Sequence, residues 1–251
     1  MVKSFILSEG EFTKGKQLIY KFMPLERALN LLNTQTIWFA NPETWADPYE
    51  CRFINATYDG KRPFAWKGRV FCACFTDNAT SEASWNAYSS NSYCIQFAFK
   101  RDALFELLNN HQNANPNNKV FLDKVEYMQT KQIERPLSAI PFDPRLSHSA
   151  KVSSIEFKVR MLLLKRIAFR YENEYRAIIV KPKATDESGI QVPIPDMSSL
   201  LRQITIGPKV EPDTYKMLKN VFVEKYGLST IRIQQSQLYK NLPQKINIKS
   251  K

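Results

Sequence analysis

Residues 172–180 read ENEYRAIIV. The apolar, β-branched second half predicts a strand over 174–180. Alternate residues of a strand share a face. Glu172, Glu174 and Arg176 therefore fall on one side in steps of ~6.6–7 Å, with Asn173, Tyr175 and Ala177 on the other. Three charges in that register are either a solvent-facing charge ladder or the polar lining of a site. Outward from this stretch, further strands are predicted at 17–22, 36–40, 51–57, 70–76, 92–99, 120–128, 204–206 and 229–233. Helices are predicted from Pro24, with Leu25, Ala28, Leu29 and Leu32 on one stripe, from a Thr80 or Ser81 cap, and over 101–110. Two more follow at 152–167 and at 213–226, the last stopped by Gly227. Residues 130–149 carry three prolines (Pro136, Pro141, Pro144) and read as a long surface loop. Strands and helices mix without strict βαβ alternation, which points to an α+β fold. The expected organisation is a single α+β domain over 1–240 and a basic tail over 241–251.

Composition removes several classes. The chain has 251 residues, 43% of them hydrophobic and 24% charged, ordinary for a globular protein with a real core. No run approaches ~18 apolar residues, so no membrane span is expected. The N-terminal Phe5-Ile6-Leu7 is too short for a secretory h-region. Only 7 glycines occur, unclustered, which excludes a P-loop and a dinucleotide-binding G-x-G-x-x-G. Cys51, Cys72, Cys74 and Cys94 form no C-x-x-C pair. Cys72 and Cys74 share one face of an apolar strand and read as buried thiols. His111 and His148 lack ligand spacing, so no metal site is expected. Free thiols and no targeting segment suggest the cytoplasm.

The charge is uneven. Thirty-six Lys+Arg against 24 Asp+Glu give +12. Residues 150–170 hold Lys151, Lys158, Arg160, Lys165, Arg166 and Arg170 against Glu156 alone. Such a surface attracts polyanions, or serves only solubility.

Ordered phrases along the chain resemble an uncharacterised bacterial family. They are Ile19-Tyr20-Lys21-Phe22, Ala46-Asp47-Pro48-Tyr49-Glu50, Cys74-Phe75-Thr76, Trp85-Asn86-Ala87-Tyr88 and Glu172-Asn173-Glu174-Tyr175-Arg176. Ile206-Gly207-Pro208 and Ser236-x-x-Tyr239-Lys240 also fit. Ala46 replaces the family's Asn, and Thr76 its Ser. A second resemblance is to mono-ADP-ribosyltransferases. These carry Arg or His on a first strand, Ser or Thr at the end of a later one, and Glu-x-Glu on another. Tyr20-Lys21, Thr76 and Glu172-x-Glu174 occur in that order, with Lys21 in place of Arg or His.

That resemblance implies a compact mixed or antiparallel split sheet with flanking helices, and NAD as substrate with no metal. Glu174 and Glu172 would be catalytic, with Tyr20, Lys21, Thr76, Arg176, Trp85 and Tyr88 toward NAD. Asp47-Pro48-Tyr49-Glu50 reads first as a structural turn; in the alternative reading Asp47 and Glu50 form a site loop, with Glu50 reaching into the site. Breaking the nicotinamide–ribose bond develops an oxocarbenium-like charge, which a fixed carboxylate stabilises. Trp85 and Tyr88, one helical turn apart, read as core or as a stacking platform. The leading expectation is an NAD-dependent toxin or phage-defence effector, with a nucleic-acid or ribonucleoprotein target and an antitoxin or defence-system partner. The alternatives are a non-catalytic nucleic-acid-binding module and a metal-dependent nuclease using Asp47, Glu50, Glu172 and Glu174.

Overall fold

The computed structural model describes residues 18–58, 62–63, 66–89, 93–134 and 155–240. Expectations on 135–154 and on the tail at 241–251 lie outside the described residues. In chain order, β1 (Leu18–Pro24) leads through α1 (Leu25–Thr34) to β2 (Thr36–Ala40). Pro24 caps α1 in extended backbone, and Gln35 ends it in the left-handed region at φ 49°. Then come α2 (Pro48–Cys51), β3 (Thr57–Tyr58), β4 (Arg62–Pro63), β5 (Val70–Thr76), α3 (Glu82–Ala87) and β6 (Cys94–Lys100). Next are α4 (Arg101–Ala114), β7 (Lys119–Lys124), β8 (Glu126–Met128), α5 (Thr130–Ile133), α6 (Ile155–Leu162), β9 (Leu164–Arg166) and β10 (Glu174–Val180). The chain continues with β11 (Gly189–Pro193), α7 (Met197–Leu200), β12 (Leu201–Ile206), α8 (Pro212–Asn220) and β13 (Arg232–Gln235).

Nine strands form one mixed sheet among the described residues. Its centre is β5. Along one edge β5 pairs with β10, from Glu174↔Thr76 to Val180↔Val70. On the other edge it meets β1 only at Tyr20↔Thr76 and β2 only at Ala40↔Cys72. β1 follows β6 instead, from Leu18↔Lys100 to Pro24↔Cys94, and β2 follows β11. The sheet therefore splits between β1 and β2, which α1 joins in sequence. Such a fork leaves an opening that a continuous sheet lacks. The fold is α+β with a split sheet.

Side-chain alternation assigns the two faces. On β10, Tyr175, Ala177 and Ile179 enter the large core with Phe71, Ala73 and Phe75 of β5. Ile178 and Val180 enter a second core with Cys72, beneath Val159 and Leu162 of α6. Glu174, Arg176 and Cys74 share the parity of that second face, at the end where α6 gives way to β9.

Some boundaries differ from the sequence reading. Residues 51–57 are mostly turns rather than a strand; Phe53 and Ile54 are buried there by packing, not by pairing. The helix expected over 152–167 stops at Leu162, and β9 follows. Leu162, Leu163 and Leu164 are all buried, so the apolar run hides the break. Helix α4 ends at Ala114, four residues beyond the expected 101–110 and inside the Asn-rich run at 111–118 (HQNANPNN). The predicted 213–226 helix is α-helical to Asn220 and continues as a wider turn over Val221–Lys225. Gly227 follows at φ 66°, the left-handed conformation expected of it.

Candidate functional site

A cleft of about 910 Å³ lies at the fork. One side is built by β5, β10 and the segment from β9 to β10. The other is built by the end of β1, by α1 and by β2. Of the residues singled out in the sequence, Lys21, Asp47, Glu50, Tyr88, Glu172 and Glu174 line it. Tyr20, Thr76, Trp85 and Arg176 do not.

Glu174 is 2% exposed, as is Arg176. The solvent-facing ladder is thereby excluded: these charges are interior. Arg176 Nε donates to Glu174 Oε1 at 2.7 Å, Nη2 to Glu50 Oε2 at 2.6 Å and Nη1 to the Leu162 carbonyl at 2.6 Å. Its guanidinium lies 4.6 Å from the Trp45 ring centroid. Lys165 Nζ reaches Glu172 Oε2 at 2.6 Å, Glu50 Oε1 at 3.1 Å and Glu174 Oε2 at 3.2 Å. Three carboxylates thus surround two cations, each carboxylate fixed by at least one charge-assisted contact.

Glu172 is not on the strand. It ends a 3-10 segment (Ile167–Glu172), and Asn173 turns the chain at φ 43°. Asn tolerates this left-handed conformation better than most residues. The turn lets both carboxylates meet the same ammonium, which strand spacing alone does not require. Thr76 serves this turn from below: its hydroxyl donates to the Glu172 carbonyl and accepts from Asn78 N at 2.9 Å.

Lys21 bridges the fork. Its half-buried ammonium donates to the Cys74 carbonyl at 2.8 Å and lies 5.1 Å from the Phe75 ring centroid. Burial pulls its basicity down, against the nearby Cys74 and Glu174. Asp47 caps α2, accepting from Tyr49 N at 3.0 Å and from Arg166 Nη2 at 3.1 Å. Tyr88, 44% exposed, stands at the cleft surface. Trp85 is core: it packs edge-on to Phe22 at 4.8 Å, with Tyr20 alongside.

The two acids differ in their titration. Burial would raise Glu174, but Arg176 and Lys165 overcome it and hold the carboxyl at about 2. Burial raises Glu172 above the usual 4.5, despite Lys165. For Glu174 the folded value lies below the unfolded one. Its contribution to stability is then complete above 4.5 and lost as pH falls toward about 2. Acid titration followed by tryptophan fluorescence is expected to show stability falling across that window. Glu174→Gln is expected to remove that component. An unchanged acid profile would contradict the pairing.

Lys165 was legible only as part of the basic excess in 150–170. Of that excess, Lys165 is buried among carboxylates, Arg166 holds Asp47, and Arg160 holds Glu126 at 3.1 Å. Lys151 lies outside the described residues. The polyanion surface inferred from these charges is correspondingly smaller. The carboxylates of the nuclease reading are already directed at Lys165, Arg166 and Arg176 rather than left open together. Trp38, Trp45 and Phe169 also line the cleft and were not singled out.

Residues 84–177 match the model of a family described as "Protein of unknown function (DUF2971)". That span takes in Trp85, Tyr88, Lys165, Glu172, Glu174 and Arg176. No curated protein matches the chain. A solved structure, "Thermus sp. 2.9 DarT in complex with NAD+", is similar at TM-score 0.40 and 9% identity, over 89% of this chain and 96% of that one.

Proposed function

We propose that the cleft binds NAD and transfers its ADP-ribose to an intracellular acceptor, the protein acting as a toxin or defence effector. The observation that carries this reading is the buried Glu174 carboxylate, held ionised between Arg176 and Lys165 at the cleft wall. A fixed anion of this kind stabilises positive charge developing on a ribose without having to reorganise during the reaction. The C1′–N bond breaks and nicotinamide leaves as a neutral molecule with the bonding electrons. The acceptor's nucleophile then bonds to C1′ and gives up its proton. Glu172, raised by burial and nearer to titrating, takes that proton. Lys165 keeps both acids in place, and Arg176 holds Glu174.

The division of labour is testable. Glu172→Gln is expected to slow labelled ADP-ribose transfer to lysate components more than it slows NAD hydrolysis to nicotinamide. Equal losses in both would take the acceptor role from Glu172. Expression in cells is expected to be toxic for the wild type, and growth unaffected by the wild type would remove the effector role.

A further inference from the structure

The α1–β2 wall differs in kind from the side of Glu50, Glu172 and Glu174, whose carboxylates are paired with Lys165 and Arg176. Arg27 and Asn30 of α1 and Trp38 of β2 line the same cleft. Among the described residues, none of these three side chains has a hydrogen bond, an ion pair or a ring partner. Trp38 is 37% exposed, unusual for a residue of its size and apolarity. Its ring is nonetheless seated. It lies over Gly189 of β11, where a Cβ would stand 2.2 Å from Trp38 Cζ2 and 2.4 Å from Cε2. Only glycine permits that approach, so the indole is backed by the strand beside β2 and also lines the cleft.

We propose that this wall is a nucleotide subsite. An aromatic base stacks on Trp38, the Asn30 amide hydrogen-bonds the base edge, and the Arg27 guanidinium takes the phosphate. Each partner is matched by chemistry. An indole stacks with any base through its π-face. A side-chain amide offers both donors and an acceptor. A guanidinium pairs with phosphate in a fork geometry that an ammonium lacks. The subsite rests on the proposed function only for the identity of the whole ligand, whose nucleotide half it would hold.

Adenosine 5′-monophosphate, with adenosine as its phosphate-free counterpart, separates the two ideas. Calorimetric titration is expected to show the monophosphate binding the wild-type protein. Trp38→Ala should weaken it on the order of 10–100-fold, the value of one base stack, whereas Trp38→Phe keeps most of the affinity. Gly189→Ala, which displaces the ring, should act like Trp38→Ala. Arg27→Gln, at an exposed position that does not threaten the fold, should lower monophosphate affinity toward that of adenosine and leave adenosine unchanged. No binding of the monophosphate to the wild type, or equal binding by Trp38→Ala, overturns the subsite. If nicotinamide is released from NAD but the monophosphate does not bind, the subsite fails and the proposed function stands. If the monophosphate binds at Trp38 but NAD is never cleaved, the subsite stands and the proposed function fails.

Discussion

Glu174→Gln is expected to reduce nicotinamide release from NAD by ~10²–10³-fold or more, the usual loss for a preorganised electrostatic contact. Gln keeps the size and one acceptor oxygen but removes the charge. Because Glu174 is buried between Arg176 and Lys165, the change also weakens the fold, by about 1–3 kcal/mol for charge-assisted hydrogen bonds. A surface glutamate would show neither effect. Rates are therefore to be compared below the melting temperature of both proteins, with circular dichroism as the check on folding. Retention of full activity in a folded Glu174→Gln protein would take the carboxylate out of the reaction.

The largest effect on stability is expected for Arg176→Met. The guanidinium makes contacts of 2.6–2.7 Å to Glu174, Glu50 and the Leu162 carbonyl. Methionine fills part of the volume but leaves Glu50 and Glu174 with Lys165 as their one paired cation among the described residues, and the Leu162 carbonyl without this donor. Breaking a buried ion pair by removing one partner typically destabilises by about 3–5 kcal/mol. Urea unfolding should show that loss in the midpoint, with activity falling as Glu174 loses its anchor. A loss below about 1 kcal/mol would mean that the buried charges do not depend on Arg176 as the geometry requires.

The sequence made the strands legible and the site only partly so. TIWFA, VFCACFT and EYRAIIV became β2, β5 and β10 at the predicted bounds, because β-branched and aromatic runs with polar ends leave little alternative. Glu50, Glu172 and Glu174 could be singled out as acids in suggestive places. Their shared partner could not. Lys165 is one cation among six in its segment, and only the break after Leu162 turns it inward. Asn173 illustrates a related limit: period-2 counting placed Glu172 on the strand face, whereas a left-handed turn brings it beside Glu174. Trp38 looked like an ordinary strand residue, because its backing, Gly189, lies in a proline- and charge-rich stretch that did not read as a strand. Local patterning reports on pairing and burial within an element. Contacts between elements far apart in sequence leave no such trace.

The most direct test of the account is nicotinamide release from NAD by the wild-type protein, followed by chromatography with and without cell lysate as acceptor. Nicotinamide accumulating in proportion to protein and time, faster with lysate, is the predicted result. NAD remaining intact under both conditions, with a folded protein, would contradict it.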